Sequence, residues 1–312
     1  MSALFFCLVS TLWSFFSWLA RILVTLGILK SARLPVRVIS VGNIQAGGAG
    51  KTPLVAQIAR EAQSRGILTC ILCRGYGGEW ESSGGIISPD APVQDPLFSG
   101  DEAALLHGLA PAAWIGIGSD RIKQFHEVMF LTKNKIELVI LDDGFQHWKI
   151  RKNLEILALT SKTRFNALFR DWSFMIRKAQ LVVWTKGERR PRAWGRPVVQ
   201  VKFEVSHPKG SRKYWFVTGI ADPKEARMTA EKAGFRIEKH VRFPDHARYE
   251  ETSVRAILAS ARAASCSVLV TGKDWVKLRA LGFSESEVEV LEPTVHFQEG
   301  RNEWDLQLWG ES

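Results

Sequence analysis

The chain contains 312 residues, of which 46% are hydrophobic, and carries a formal net charge of +10. This composition excludes an intrinsically disordered chain, and the length suits one large domain or two modest ones. The basic balance favours anionic partners: nucleic acid, an acidic membrane or phosphorylated small molecules. The four cysteines are too few and too irregularly spaced for a disulfide framework. No second Cys/His pair accompanies Cys70 and Cys73, so we expect reduced thiols in a cytosolic protein.

The first thirty residues form an apolar segment with no charged side chain from Met1 to Ala20. This length is sufficient to cross a bilayer, and the segment lacks the basic start and A-x-A site of a cleaved signal peptide. Its polar residues recur at helical spacing as one stripe: Ser10, Ser14, Ser17 and Arg21. We therefore predict a membrane-associated helix that spans the bilayer or lies in its interface. A buried hairpin or core helix is the alternative.

The sequence beyond Lys30 predicts an α/β protein. A helix is expected over Thr52–Ser64, and Glu79–Gly100, rich in Gly, Ser, Pro and Asp, is expected to be a long loop. Apolar runs typical of buried parallel strands are Val36–Val41, Ile67–Cys73, Ala113–Ile117, Leu138–Leu141 and Glu155–Leu159. The first domain is predicted to cover residues 31–162.

A second, smaller α/β domain is predicted over residues 163–312, following the N-terminal segment 1–30 and the first domain. Its expected strands are Leu181–Trp184, Tyr214–Thr218 and Val268–Thr271. We expect this domain to close over the active site of the first.

A glycine-rich sequence lies between the first predicted strand and the helix that follows it: Gly47, Gly48, Ala49, Gly50, Lys51 and Thr52. In a phosphate-binding loop the backbone N–H groups cradle phosphate, the lysine neutralises charge and the hydroxyl binds Mg²⁺. The strict pattern requires a glycine where this chain has Gln45. A glycine-rich turn without a ligand is the alternative. The strand, turn and helix order favours the phosphate loop.

Acidic residues occur at two further positions where nucleotide chemistry needs them. The strand ending in Asp142 and Asp143 is suited to holding Mg²⁺ or its water opposite the lysine. Asp101 and Glu102 begin a predicted helix. One interpretation is that acidic residues at this end interact favourably with the helix dipole. The other is that they act as a general base or as metal ligands. By itself, the Asp-His pair ending at His246 is equally consistent with an ordinary surface loop.

Taken together, six motifs in order resemble those of the tetraacyldisaccharide 4'-kinase (lipid A 4'-kinase) family. They are Val41–Pro53, Arg74–Gly78, Gly100–Glu102, Asp142–His147, Asp245–His246 and Thr271–Asp274. The agreement extends from the apolar N-terminus to about residue 280. The resemblance implies a phosphate-loop NTPase-like fold and ATP- and Mg²⁺-dependent phosphorylation of the 4'-hydroxyl of an acylated glucosamine disaccharide 1-phosphate, in lipopolysaccharide biosynthesis.

The resemblance also assigns roles to individual residues. Lys51 and Thr52 would bind phosphate and metal, and Asp101 with His246 would deprotonate the sugar hydroxyl. Further metal positions are Asp142, Asp143 and Glu102. Substrate-binding or supporting positions are Arg74, Tyr76, Gln146, His147 and Asp171.

The same resemblance implies the partners and the location of the protein. They are an acylated disaccharide lipid and the cytoplasmic face of the inner membrane of a Gram-negative bacterium, with no nucleic acid and with a monomer favoured. Two departures from the family pattern concern substrate contacts. Phe165–Asp171 stands where the family usually reads Pro-Ala-Gly-x-x-Arg-Glu, and Gly272 replaces the glutamate of Thr-Glu-Lys-Asp.

Two other functions are consistent with parts of the sequence. Thr185–Glu188 is similar to the guanine-reading motif of phosphate-loop GTPases, although glutamate replaces its aspartate. A membrane-bound nucleotide sensor without a phosphate acceptor is the non-catalytic alternative. Asp101 and His246 favour an enzyme over a sensor.

Overall fold

The computed structural model describes residues 3–163, 165–208 and 212–311. Residues 1, 2, 164, 209–211 and 312, which the predicted segment and domains include, lie outside this description. The helices are α1 Ala3–Thr25, α2 Lys51–Ser64, α3 Trp80–Ser83, α4 Pro96–Ser99, α5 Asp101–Leu109, α6 Arg121–Leu131, α7 Pro223–Lys232, α8 Glu251–Ala263, α9 Gly272–Ala280 and α10 Arg301–Trp309. The strands are β1 Arg37–Gly42, β2 Thr69–Cys73, β3 Gly85–Ile87, β4 Trp114–Ile117, β5 Leu138–Asp142, β6 Leu154–Thr160, β7 Leu181–Lys186, β8 Val198–Val205, β9 Lys213–Thr218, β10 Arg236–Arg242, β11 Cys266–Thr271, β12 Glu289–Leu291 and β13 Pro293–Glu299.

A nine-stranded sheet in the order β13-β8-β7-β6-β1-β5-β2-β4-β3 forms the larger unit. Its inner strands are parallel, and β3 and β13 pair antiparallel at the two edges. Central strands such as β5 and β6 are buried along their whole length. This explains why their sequences are continuous apolar runs rather than alternating patterns.

Helices cover both faces of the large sheet. On one face, Leu54 and Ile58 of α2 pack with α5 and with Trp304 of α10. On the other, Phe125 of α6 packs against β1, β2 and β5, and Met175 of a 3₁₀ turn packs against β6 and β7. A doubly covered parallel sheet places functional residues at the carboxyl ends of its strands.

A smaller parallel sheet has the order β10-β9-β11-β12. Val254 and Leu258 of α8 and Trp275 of α9 pack against one face of this sheet. Ala230 of α7 packs against the other face. The α/β class with two sheets is therefore as predicted, and the cysteines are free thiols: Cys7, Cys70, Cys73 and Cys266.

The grouping of strands differs from the prediction in one respect. Leu181–Lys186, expected in the second domain, pairs parallel with β6 and extends the large sheet. The chain also returns to that sheet through β13 and α10 after the smaller sheet is complete. The change of sheet therefore falls after Val205, not at residue 163. An apolar run shows that a strand is buried but not which strand is its neighbour.

The segment Glu79–Gly100, expected as a long loop, contains regular structure. It forms α3, the edge strand β3 and α4. Asp95 begins α4 by accepting a hydrogen bond from the Leu97 N–H at 2.9 Å, with Pro96 in the first turn. These elements are short, and turn residues dominate the composition, so the sequence shows no helical or strand period.

Helix α1 carries the polar stripe predicted from the sequence, and this stripe faces the protein. Ser10, Ser14 and Ser17 are 0%, 0% and 3% exposed. The opposite face is apolar and open: Phe5, Leu8, Leu12, Trp13, Phe15, Phe16, Trp18 and Leu19. Within the described residues, α1 is long and apolar enough to cross a membrane by length and composition. A core helix is excluded as an account of α1, because its larger face is uncovered.

Candidate active site

Chemically active residues converge at the carboxyl edge of the large sheet. The phosphate-loop sequence follows β1, Asp142 ends β5, and Arg74 follows β2. Arg121 begins the helix after β4. The parallel pairing of these strands places their carboxyl ends side by side, as expected for a ligand site in an open α/β sheet.

The glycine loop has the backbone that its sequence predicts. Gly50 adopts a left-handed conformation with φ 73° immediately before α2. A Cβ at this position would lie 2.2 Å from the Phe203 ring, so glycine is required for two reasons. Lys51 and Thr52 occupy the first turn of α2, where backbone N–H groups and the helix dipole favour an anion.

Gln45, the departure from the strict loop pattern, braces the loop against β6. It is 4% exposed. Its amide donates to the carbonyls of Thr160 and Lys162, both at 3.0 Å, and its side-chain oxygen accepts from the Thr160 N–H at 2.8 Å. The glutamine thus replaces a flexible glycine by a fixed connection between neighbouring strand ends.

Asp143 lies between two cations. Arg170 donates to both of its carboxylate oxygens, at 2.8 and 2.9 Å, and Lys51 Nζ lies 3.6 Å away. Although burial opposes ionisation, these partners lower the pKa of Asp143 to about 2. Asp143 therefore remains a carboxylate and orients the loop lysine, which leaves it less free to bind a metal than predicted.

Asp142 has the opposite environment. It is 3% exposed, and its Oδ1 atom has no hydrogen-bond partner among the described residues. Burial and the nearby charge of Glu102 raise the pKa of Asp142 to about 7, against the opposing effect of Lys51. The raised pKa means that ionisation of Asp142 is costly in this setting, and a nearby cation would offset that cost.

The Asp101–His246 pair predicted from the family resemblance is formed. His246 Nδ1 lies 3.0 Å from Asp101 Oδ2 and joins a loop of the smaller sheet to the start of α5. Lys277 Nζ of α9 lies 3.0 Å from the same oxygen. Asp101 is 9% exposed, whereas the His246 side chain is 41% exposed and accessible to a ligand.

Three further predicted residues, Glu102, Tyr76 and Arg74, contact other residues of the site or of α3. Glu102 contacts Lys273 at 3.1 Å, and the Tyr76 ring centroid lies 5.8 Å from that of His246. Arg74 Nε lies 2.6 Å from Glu81 and the arginine side chain is 64% exposed. Tyr76 thus borders the exposed side of His246, and Arg74 lies two residues before it in the chain.

Gln146, His147 and Asp171 lie on the inner side of the site. Gln146 donates to Asp171 at 2.6 Å and to the Asn43 carbonyl at 3.1 Å. Burial, followed by the charge of Arg121, lowers the pKa of His147 to about 3, so it is neutral. These residues support the loops of the site rather than face its open side.

Three cationic residues of the site were absent from the predicted set. Arg170 holds Asp143, Lys277 pairs with Asp101, and the buried Arg121 contributes positive charge beside Asp142. Arg121 sits just after the end of β4, a position that offers a signal in the sequence. Arg170 matches the arginine of the family pattern Pro-Ala-Gly-x-x-Arg-Glu, so the sequence contains a signal for this residue as well. Lys277 is brought to Asp101 by tertiary packing and has no comparable local signal.

The donor set fits a magnesium ion bound jointly by protein and phosphate. Within the described part of the chain, no cluster of three or more His, Cys, Asp or Glu side chains could form a metal site. Mg²⁺ commonly takes one or two protein oxygens and completes its shell with phosphate and water. The Thr52 hydroxyl and the unpaired Asp142 oxygen are the side-chain atoms suited to this role.

The strand–glycine loop–helix unit and the acidic end of β5 define a phosphate-loop α/β protein. The family model described as Tetraacyldisaccharide-1-P 4'-kinase matches residues 2–308. The chain belongs to this family and is a kinase. Family membership decides against the GTPase and the non-catalytic sensor.

Curated relatives agree with this assignment. A tetraacyldisaccharide 4'-kinase from Geobacter metallireducens is 32% identical over 81% of this chain and 81% of its own. One from Chlorobaculum tepidum is 28% identical over 90% of both. The crystal structure of LpxK from Aquifex aeolicus in complex with ATP is 26% identical with a TM-score of 0.74, covering 96% of this chain and 95% of that one.

We predict that Asp142→Asn stabilises the metal-free protein. The folded pKa is raised from 3.8 to about 7, so ionisation costs folding free energy as pH rises through this range. The gain in Tm should therefore grow from about pH 4 to 7, level off above, and reach several degrees. Thermal unfolding at a series of pH values measures it.

Asp143→Asn is the matched control, because the lowered pKa of Asp143 means that its ionised form stabilises the fold. Its Tm should fall at neutral pH. A gain in Tm for both variants, or for neither, would contradict the assigned charges.

Proposed function

We propose that this kinase transfers the γ-phosphate of ATP to the 4'-hydroxyl of an acylated glucosamine disaccharide 1-phosphate, a lipid A precursor. The 3.0 Å contact between His246 and Asp101 carries the proposal, because a histidine paired with a carboxylate is suited to accept the proton of a hydroxyl group. The names of the relatives and the ATP bound to the structural neighbour support the choice of acceptor and donor.

The nucleotide phosphates would lie on the glycine loop, against Lys51 and the N-terminus of α2. A Mg²⁺ ion held by Thr52 and Asp142, with Glu102 nearby, would neutralise phosphate charge when bound. Asp143 and Arg170 keep the Lys51 ammonium in place. The buried Arg121 adds a further positive charge at this edge of the sheet.

His246 would accept the proton of the sugar hydroxyl. With Nδ1–H donated to Asp101, the Nε2 atom, which lies 3.8 Å from Asp245 Oδ2, would act as the base. The Asp101 carboxylate then stabilises the protonated ring, as in other histidine–carboxylate pairs. The exposed Tyr76 and Arg74 would contact the disaccharide and its phosphate.

The apolar face of α1 would contact the lipid phase on the cytoplasmic side of the inner membrane. Exposed residues such as Leu12 and Phe16, each 59% exposed, suit acyl chains rather than water. The opposite face is hydrogen-bonded to the body of the protein. We infer that α1 lies in the interface as a monotopic helix, because a spanning helix would draw its buried partners into the bilayer. The relatives are bacterial proteins, which suits a Gram-negative source. We propose no nucleic-acid partner for this chain. We propose a monomer as the simplest assembly.

Lys51→Ala should lower turnover by about 10²-fold or more, because the lysine meets charge that develops on the transferred phosphoryl group. Initial rates with ATP, Mg²⁺ and a lipid A disaccharide precursor measure the effect, with circular dichroism to check the fold. Lys123→Ala, on the exposed side of α6, is the control. Near-normal turnover in folded Lys51→Ala would remove the nucleotide-site assignment.

Asp101 and His246 should behave as one unit in a double-mutant cycle. We expect Asp101→Ala and His246→Ala each to lower kcat by ~10²–10⁴-fold, and the double variant to lose little more. Saturating ATP and lipid separate kcat from binding. Circular dichroism is needed because Asp101→Ala leaves Lys277 buried without its carboxylate.

Multiplicative losses in the double variant would show independent roles and exclude a shared base. Unchanged kcat in His246→Ala would exclude histidine as the proton acceptor altogether.

Replacing Leu12 and Phe16 by serine should release the protein from membranes and raise KM for lipid more than KM for ATP. Sedimentation with anionic vesicles at high salt measures release, because salt screens any attraction by basic residues. Phe130→Ser, at an 83% exposed position on α6, is the matched control. Sedimentation equal to that of the wild type would place the membrane contact elsewhere.

A further inference from the structure

The inner face of α1 is bonded to a segment that belongs to the phosphate site. Ser10 Oγ accepts from the Phe169 N–H at 2.9 Å, and Ser17 Oγ donates to Asp171 Oδ1 at 2.5 Å. Arg21 Nε lies 3.7 Å from the same carboxylate oxygen. All of these partners fall within or beside Leu168–Asp171, which we call the bridging segment.

The bridging segment pairs on its other side with the start of the glycine loop. The Ala46 N–H donates to the Leu168 carbonyl at 2.8 Å, and the Arg170 N–H donates to the Ile44 carbonyl at 2.7 Å. The bridging segment therefore lies between α1 and the chain that leaves β1. These backbone hydrogen bonds would transmit a displacement of α1 to the glycine loop.

The side chains of the bridging segment alternate in direction. Arg170 reaches the site, where it holds Asp143 and hydrogen-bonds Asn43. Asp171 reaches α1 and also accepts from Gln146, which in turn donates to the Asn43 carbonyl. Neighbouring residues thus connect the helix to both walls of the phosphate site.

Arg21 adds a second, direct connection. It donates to the Phe145 carbonyl at 3.0 Å, and its guanidinium carbon lies 4.3 Å from the centroid of that ring. Phe145 is fully buried two residues after Asp143. A Cβ on Gly42 would lie 2.5 Å from Phe145 Cβ, so the turn after β5 sits directly against the end of β1.

We propose that Arg21 and Ser17 are positioning residues for phosphoryl transfer. They fix the bridging segment and the turn after β5, which together set Asp143 and Arg170 around the loop lysine. This inference rests on the proposed kinase function and adds to α1 a role besides membrane contact. Membrane contact requires only the apolar face of α1. The polar stripe would serve the second role, because it holds the bridging segment in position.

The experiment compares Arg21→Met with the wild type in ATP affinity, kcat, KM for lipid and vesicle sedimentation. Methionine keeps much of the packing volume and removes the charge and its hydrogen bonds. We expect ATP affinity and kcat to fall by about tenfold or more, because small misplacements of phosphate-binding groups are costly. KM for lipid and sedimentation should stay close to wild type. Arg21→Lys, which retains the charge, should recover part of the loss.

Two further variants keep the test decisive. Ser17→Ala removes one bond to Asp171 and should give a smaller loss of the same kind, which serves if Arg21→Met does not fold. Arg65→Ala removes another arginine that stacks on an aromatic ring, Trp309 at 4.5 Å, and pairs with a surface carboxylate. It should retain wild-type kcat and ATP affinity.

Unchanged ATP affinity and kcat in folded Arg21→Met and Ser17→Ala would overturn the inference, as would losses that follow vesicle release. ATP affinity is measured by equilibrium binding without lipid. It therefore tests the positioning role even if the acceptor proves to be a different lipid.

Discussion

The carboxyl end of β5 places a buried carboxylate, Asp142, next to a partly exposed one, Asp143, and much of the site serves to balance their charge. Asp143 is balanced by Arg170 and Lys51, so it is ionised at any physiological pH. Asp142 lacks such a partner and has its pKa raised to about 7 by burial and by Glu102. One carboxylate is thus paired within the protein, and the other keeps an oxygen without a hydrogen-bond partner among the described residues.

The unit built on the smaller sheet contributes basic side chains that pair with acidic residues at the start of α5. His246 and Lys277 approach Asp101 from the smaller sheet, while Lys273 approaches Glu102. Acidic residues at the start of α5 therefore meet basic residues from the other unit. This charge complementarity holds His246 close to the start of α5, and the His246 side chain remains 41% exposed.

Local features of the sequence predicted much of this arrangement. The glycine loop, the acidic end of β5 and the start of α5 depend on neighbouring residues, so their sequences identify them. Arg170 lies in a family pattern that the sequence shows, but its partner Asp143 could not be predicted, because the contact depends on how distant segments pack. The same holds for Lys277 and its partner Asp101. The stripe on α1 was visible as a helical period, but its direction depends on Asp171, which lies 154 residues from Ser17. For the same reason β7 was recognised as a strand and assigned to the wrong sheet.

The return of the chain to the large sheet has a consequence for how the protein is made. Strands β9 to β12 are inserted in the chain between β8 and β13, which are neighbours in the large sheet. Helix α10 then binds α2 through hydrogen bonds from the Trp304 and Trp309 indole N–H groups to the Glu61 carboxylate, at 2.9 Å and 3.0 Å. During synthesis the large sheet lacks the edge strand β13 and the covering helix α10 until residues 293–309 have left the ribosome. The smaller sheet is completed by β12, which ends at Leu291, and β13 begins directly afterwards at Pro293. A chain interrupted before α10 would therefore leave exposed the apolar face of the large sheet that Trp304 covers, and such a surface is prone to aggregation.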